Sequence, residues 1–154
     1  MDNSFIELFK NVCFWSPFCA WTCAQLTKML CGFCKTHKFD FNYLVSTGGM
    51  PSAHSAMVSG LATSVGLVLG FGSATFALAM AFAMLVMFDA STVRRAAGLQ
   101  ARLLNQMINE LFRQHRFSEK KLVELLGHTR LEVLMGMVMG ILCALLVNAI
   151  AVLF

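Results

Sequence analysis

Long apolar stretches are the feature that most restricts how this chain can fold. Hydrophobic residues make up 58% of the sequence and charged residues only 13%, about half the charged share of a soluble domain. A helix needs about 20 apolar residues to cross a bilayer. Four stretches approach or exceed that length: residues 12–34, 55–69, 74–88 and 131–154. The sequence therefore predicts an all-α fold, a polytopic membrane helical bundle with about four transmembrane helices.

A basic, amphipathic segment separates the last two apolar stretches. Eight of the 12 Lys and Arg residues fall between residues 89 and 130. Apolar side chains recur there at helical spacing, at Leu99, Leu103, Leu104, Met107, Ile108 and Leu111. This pattern predicts an interfacial amphipathic helix within residues 94–126, with a second short helix from Ser118 to Gly127. No linker or repeat interrupts the chain, so residues 1–154 are predicted to form one membrane domain.

The distribution of basic residues predicts the orientation in the membrane. Lys35 and Lys38 lie in the first polar connector, and eight more basic residues lie in the third. By the positive-inside rule both connectors face the cytoplasm, although basic residues kept for ligand binding would give the same count. The prediction is an integral protein of a plasma, inner or plastid membrane, with its polar loops on the cytoplasmic side.

The net charge and the cysteines exclude several classes of partner. The formal charge is +4, but aromatic and basic residues do not interleave as they do in nucleic-acid platforms. Basic residues placed between membrane spans suit anionic lipid headgroups and phosphate esters. The pair Cys31 and Cys34 matches C-x-x-C, yet no second pair completes a zinc site. We therefore predict no nucleic-acid partner, no metal ion and no cofactor.

A hydroxyl group and an imidazole precede the second apolar stretch, in the segment PSAHS at residues 51–55. At a helix N-terminus, free backbone N–H groups and the positive end of the helix dipole favour an anion. Ser52 and His54 would bind a phosphate group in that position. In the structural alternative, Ser52 or Ser55 only caps the helix and His54 reaches the interface. The residues alone leave both interpretations open.

His128 and Glu132 stand four residues apart at the start of the last apolar stretch. In a helix this spacing lets the carboxylate orient the imidazole and stabilise its charged form, as a nucleophile or proton carrier requires. Residues 129–132 (TRLE) also match a capping box, in which Glu132 turns back to the helix N-terminus. One rotamer of Glu132 is not expected to fill both roles fully.

Cationic side chains lie near both histidine motifs. Arg94 and Arg95 follow Asp89 directly after an apolar stretch, where a guanidinium needs an anion or the interface. Its planar fork suits phosphate oxygens, but positive-inside anchoring is the simpler explanation for either arginine alone. Lys28 lies inside an apolar run, and a charge within a membrane span is functional by default.

Three motifs occur in order along the chain: STGGMPSAHS at residues 46–55, FDASTVRRAAG at 88–98 and LGHTRLEV at 126–133. They resemble the divergent, bacterial and plastid branch of the type 2 phosphatidic acid phosphatase superfamily, which is related to acid phosphatases and vanadium-dependent haloperoxidases. The resemblance implies a membrane phosphatase that hydrolyses a lipid or isoprenoid phosphate monoester or diphosphate through a phosphohistidine intermediate.

The resemblance also implies a role for each residue. His128 would be the nucleophile, Glu132 would orient it, and His54 would protonate the leaving oxygen. Fixed cations can stabilise phosphoryl transfer without a metal ion. The phosphate group would be bound by Ser52, Arg94, Arg95, Lys28, Lys35 and Lys38.

A second interpretation follows from what the sequence lacks, because typical members also carry an earlier motif with a Lys and an Arg-Pro pair. A non-catalytic membrane protein would use the same anion pocket to bind or transport an anionic lipid headgroup or solute. The chain also has fewer predicted spans than typical members. A homodimer is therefore one way to enclose a lipid tail.

Overall fold

The computed structural model describes residues 4–37, 49–111 and 127–153, and these residues form helices and short connections without any strand. The prediction of an all-α fold is confirmed. In chain order the helices are α1 (Ser4–Lys10), α2 (Val12–Thr36), α3 (Ala53–Leu69), α4 (Ala74–Ser91), α5 (Val93–Leu111) and α6 (Arg130–Leu153). Helix α1 was not predicted, because its seven residues are too few to show a periodic pattern.

Helix α3 lies at the centre of the bundle, because α2, α4 and α6 all pack against it. Small residues on α3 allow its neighbours to approach closely. At Gly60, for example, an added Cβ would lie 3.1 Å from the Cβ of Ala20 in α2 and 3.4 Å from the carbonyl oxygen of Gly140 in α6. The central helix is therefore held by backbone contacts rather than by large side chains.

Gly136 and Gly140 form a G-x-x-x-G motif on α6 that packs directly on the backbone of α3. A Cβ at residue 136 would overlap the carbonyl group of Ser52, and one at residue 140 would overlap that of Ala56. The hydroxyl of Ser59 lies 3.1 Å from the carbonyl oxygen of Met137 and bridges the two helices. The motif therefore serves packing within the chain.

Helices α3 and α6 run parallel, and α2 and α4 run in the opposite direction. At one end of the bundle the N–H of Ser52 donates to the carbonyl oxygen of Glu132 at 3.0 Å. The N–H of His128 donates to the carbonyl oxygen of Ala90, also at 3.0 Å. We call this end, with Ser52, His54, Ala90, His128 and Glu132, the histidine end.

The opposite half of the bundle contains a second buried polar group, formed by Ser16, Ser64 and Asn148, which we call the serine–asparagine layer. The hydroxyl of Ser16 donates to that of Ser64 at 3.1 Å. The side-chain amide of Asn148 donates to Ser64 Oγ at 3.0 Å and to the carbonyl oxygen of Ala144 at 2.8 Å. This layer links α2, α3 and α6.

Within the described residues, two stretches are long and apolar enough to cross a membrane: Ala74–Ile108, which contains α4 and most of α5, and Arg130–Leu153, which is α6. Their outward side chains are apolar, as at Leu78, Leu85 and Leu146. Helix α3 is also apolar but has only 17 residues, which corresponds to about 25 Å. The membrane-spanning character of the fold is thus supported, and the number of four spans stays a prediction.

Helix α5 is amphipathic, and it presents its apolar side outward. Leu99, Leu103 and Met107 are exposed, whereas Gly98 and Asn105 are buried. Among the described helices, α5 packs only against α4. An outward apolar face is unfavourable in water and favourable at a membrane interface. The short helix predicted from Ser118 falls largely in residues 112–126, outside the described residues.

Candidate functional site

Two sequence-distant histidines lie side by side at the histidine end. The ring centroids of His54 and His128 are 6.2 Å apart, and the ring planes are inclined by 59°. His54 lies in the first turn of α3, and His128 lies two residues before α6. The parallel packing of α3 on α6 brings these two helix N-termini, and with them both imidazoles, to one place.

The start of α3 is organised by two buried serines. Ser52 is the N-cap residue, and its Oγ accepts the N–H of Ser55 at 3.4 Å and the hydroxyl of Ser55 at 3.0 Å. Ser52 is fully buried, and its hydroxyl shares a hydrogen bond with that of Ser55 in which either group can donate. The capping role anticipated for this motif is therefore present.

Glu132 performs both roles that the sequence suggested for it, with a single oxygen atom. Its Oε2 lies 3.0 Å from Nδ1 of His128 and also accepts the backbone N–H of Thr129 at 3.0 Å. The N–H of Glu132 donates in return to Oγ1 of Thr129 at 3.3 Å, which completes a capping box. The expectation that one rotamer could not fill both roles was wrong, because His128 immediately precedes the cap and both donors approach the same oxygen.

His128 has one ring nitrogen engaged and one free. The carboxylate of Glu132 accepts from Nδ1, so the neutral ring carries its proton there and its lone pair on Nε2. His128 is only 2% exposed, and Nε2 makes no hydrogen bond within the described part of the chain. Leaving a buried polar atom unpaired costs about 1–3 kcal/mol. Such an atom needs an explanation, and a missing ligand is one.

Positive charge also gathers at this end. The N-termini of α3 and α6 both point here, and each helix dipole contributes a partial positive charge. Lys28 of α2 is only 3% exposed and interacts electrostatically with Glu132. In the described ranges, no three His, Cys, Asp or Glu side chains are arranged to hold a metal ion. The arrangement suits an anion that contacts both imidazoles.

The structure brings together five of the predicted residues: Ser52, His54, His128, Glu132 and Lys28. Arg95 is exposed on α5 and makes no ion pair or hydrogen bond with any described residue. The side chains of Arg94 and Lys35 and the whole of Lys38 lie outside the described residues. Their predicted part in phosphate binding stays a prediction.

Two contributors were not identified from the sequence. The carbonyl group of Ala90 holds the backbone of His128, and Gly136 leaves room for the carbonyl group of Ser52. A backbone carbonyl acceptor does not depend on the identity of the side chain. Only the position of Ala90 inside the motif at residues 88–98 could have indicated its contact with His128. Gly136 has a visible signal, the G-x-x-x-G spacing, but the spacing does not name the partner helix.

Comparisons with known proteins identify the family of this chain. The model of the Divergent PAP2 family matches residues 9–143. YuiD of Bacillus subtilis (strain 168), described as an uncharacterized membrane protein, is 40% identical over 151 residues, which cover 91% of this chain and 96% of that protein. No solved structure matches. The matched residues include five from the site: Lys28, Ser52, His54, His128 and Glu132. The chain belongs to the Divergent PAP2 family.

Proposed function

We propose that this protein is a membrane phosphatase that hydrolyses a phosphate monoester or diphosphate of a lipid or isoprenoid alcohol. The observation that carries the proposal is Nε2 of His128, a buried atom that no described residue pairs with and that lies in a ring next to His54. Family membership supports the same chemistry. On the positive-inside count, the site would face the cytoplasm.

In the first step, Nε2 of His128 attacks phosphorus and the bond from phosphorus to the leaving oxygen breaks. Glu132, bonded to Nδ1, stabilises the positive charge that the imidazole acquires. His54 donates a proton to the leaving oxygen, which departs as the lipid alcohol or, from a diphosphate, as the lipid monophosphate. The product is a phosphohistidine on His128.

In the second step, water attacks the phosphohistidine. Neutral His54 accepts a proton from this water, inorganic phosphate forms, and Nε2 of His128 regains its lone pair. The hydroxyl of Ser52 donates a hydrogen bond to a phosphoryl oxygen, and the helix N-termini and Lys28 offset the charge of the transition state. Each group acts from a fixed position, so little reorganisation accompanies the reaction.

The direct test uses purified full-length protein in phospholipid vesicles supplied with a panel of lipid and isoprenoid phosphates. Phosphate release is expected from the wild type and not from His128→Ala. His37→Asn is a matched control, because His37 caps the C-terminus of α2 in a left-handed conformation that asparagine tolerates. A wild type that is inactive across the panel contradicts the proposal.

One observation favours a second function, a non-catalytic receptor or carrier for an anionic headgroup or solute. Arg95, a predicted phosphate ligand, is exposed on α5, and a site with fewer cations stabilises a transition state less. This function predicts that vanadate raises the melting temperature equally in the wild type and in His128→Ala, without hydrolysis. A radiolabelled phosphoryl group trapped on His128 after rapid alkaline quenching excludes it as the only role.

A further inference from the structure

An apolar groove of about 470 Å³ lies on the outer surface of the bundle between α2 and α3. Helix α2 contributes Phe14, Pro17, Phe18 and Trp21, and helix α3 contributes Met57 and Leu61. Phe18 and Met57 are each about half exposed, so the groove is open along its length. Its walls are aromatic and flexible apolar side chains, which adapt to a hydrocarbon chain of irregular shape.

The groove begins about one helical turn along α3 from the histidine end. On α3, Met57 and Leu61 follow His54 at three and seven residues, which places all three on one side of the helix. On α2, Trp21 and Phe14 precede Lys28 at seven and 14 residues, again on one side. Because α2 runs opposite to α3, the row from Lys28 to Phe14 on α2 and the row from His54 to Leu61 on α3 both extend away from the histidine end in the same direction.

The dimensions match an amphiphile. Seven residues of helix correspond to about 10 Å, so the wall from Lys28 to Trp21 and the wall from His54 to Leu61 end at similar depths. At the histidine end, Lys28, two imidazoles and two helix N-termini can contact an anion. The surface of the groove is almost entirely apolar. A molecule with an anionic head and one long apolar chain has this same division.

We propose that the groove between α2 and α3 holds the hydrocarbon chain of the lipid phosphate whose headgroup occupies the histidine end. This inference rests on the proposed function for the identity of the headgroup. The groove then selects chains by their fit to its walls through van der Waals contacts, because a chain already in the bilayer gains no hydrophobic free energy on entering it. It also allows the substrate to reach His128 laterally, with its chain still in the bilayer.

Tryptophan fluorescence tests chain binding without requiring turnover. The chain has two tryptophans, and Trp21 lines the groove whereas Trp15 does not. In full-length His128→Ala carrying Trp15→Phe, phosphatidic acid with a brominated acyl chain is expected to quench Trp21 saturably. Half-saturation should occur at a mole fraction at least tenfold lower than with brominated phosphatidylcholine, and unlabelled phosphatidic acid should reverse the quenching.

The matched control is His128→Ala carrying Trp21→Phe, in which Trp15 is expected to respond equally to both brominated lipids. If Trp21 also responds equally to both, the groove holds only bulk lipid and the proposal is wrong. Selective quenching in a protein whose wild type lacks phosphatase activity retains the chain site and rejects the proposed enzymatic function. Hydrolysis without selective quenching retains the proposed enzymatic function and rejects the chain site, so failure of one proposal is distinguishable from failure of the other.

A groove-filling substitution gives a second readout. Leu61→Trp is expected to raise KM for a long-chain lipid phosphate by about tenfold or more, while kcat/KM for a soluble, chain-free phosphate monoester stays within about twofold of the wild type. Leu85→Trp on the outward side of α4 is the control, since Leu85 is 69% exposed and lies outside the groove. Equal loss on both substrates, or no loss on either, overturns the proposal.

Discussion

The histidine end and the serine–asparagine layer both join α3 to α6, but they differ in how their hydrogen bonds are completed. In the serine–asparagine layer, the amide nitrogen of Asn148 reaches Ser16 Oγ, Ser64 Oγ and a backbone carbonyl of its own helix, and the two hydroxyls bond to each other. At the histidine end, Nε2 of His128 is buried without a partner among the described residues.

This difference separates a structural cluster from a candidate binding site. Polar residues inside a membrane bundle commonly join helices, so burial alone does not indicate function. A cluster that bonds to itself contributes to stability and needs nothing else. A cluster that leaves an oriented ring nitrogen unpaired has the capacity to bind a ligand, and the substitutions below test whether the two clusters differ in this way.

The largest effect is expected for His128→Ala. Phosphate release should fall by at least about 1,000-fold, because the nucleophile is removed. The free energy of unfolding should also fall, because the bond from Nδ1 to Glu132 is lost and the buried ring leaves a cavity. The measurement combines a phosphate-release assay with unfolding in mixed micelles. A large loss of stability with retained activity would reverse the assignment of the two clusters.

Glu132→Gln is expected to come next, because it separates the two roles of one oxygen atom. An amide still accepts the N–H of Thr129, but it stabilises the charged imidazole of His128 poorly, so kcat should fall by about 100-fold to 10,000-fold. Thr129→Ala is the matched variant, since it removes only the reciprocal cap and should cost about 1 kcal/mol of stability. Similar kinetics for both variants would show that capping is the only role of Glu132.

Gly140→Ala addresses the contact that joins the two clusters. Its Cβ would overlap the carbonyl group of Ala56, so α3 and α6 must separate at a cost of about 3 kcal/mol. Gly60→Ala should cost less, because its Cβ meets the side chain of Ala20 at 3.1 Å. Unfolding in mixed micelles measures both, and equal stabilities would indicate that close packing on Ala56 contributes nothing.

The smallest effect is expected for Asn148→Ala. Removing three hydrogen bonds of the layer should lower the free energy of unfolding by about 0.6–1.7 kcal/mol. Activity per folded molecule should remain within about twofold of the wild type, because the layer lies in the opposite half of the bundle from the histidine end. A twofold change in rate corresponds to about 0.4 kcal/mol of activation free energy. A loss of activity without a loss of stability would show that the layer also belongs to the functional machinery.

Much of the fold was accessible from the sequence, because apolar runs and caps are local signals. Ser52 does begin α3, and the spacing of His128 and Glu132 correctly predicted their contact. Other features depend on tertiary packing and could not be read. The outward apolar face of α5, the carbonyl of Ala90 and the shared oxygen of Glu132 are fixed by neighbours distant along the chain.

Residues of the histidine end are held by two separate backbone hydrogen bonds, one between α3 and α6 and one to α4. Ser52 and Glu132 lock α3 to α6, while the backbone of His128 is tied to α4 through Ala90. A tilt of α4 would therefore pull His128 away from His54 without breaking the contact between α3 and α6. A change in the tilt of α4 is therefore expected to change the separation of the imidazoles, and a label pair spanning α4 and α3 would report it.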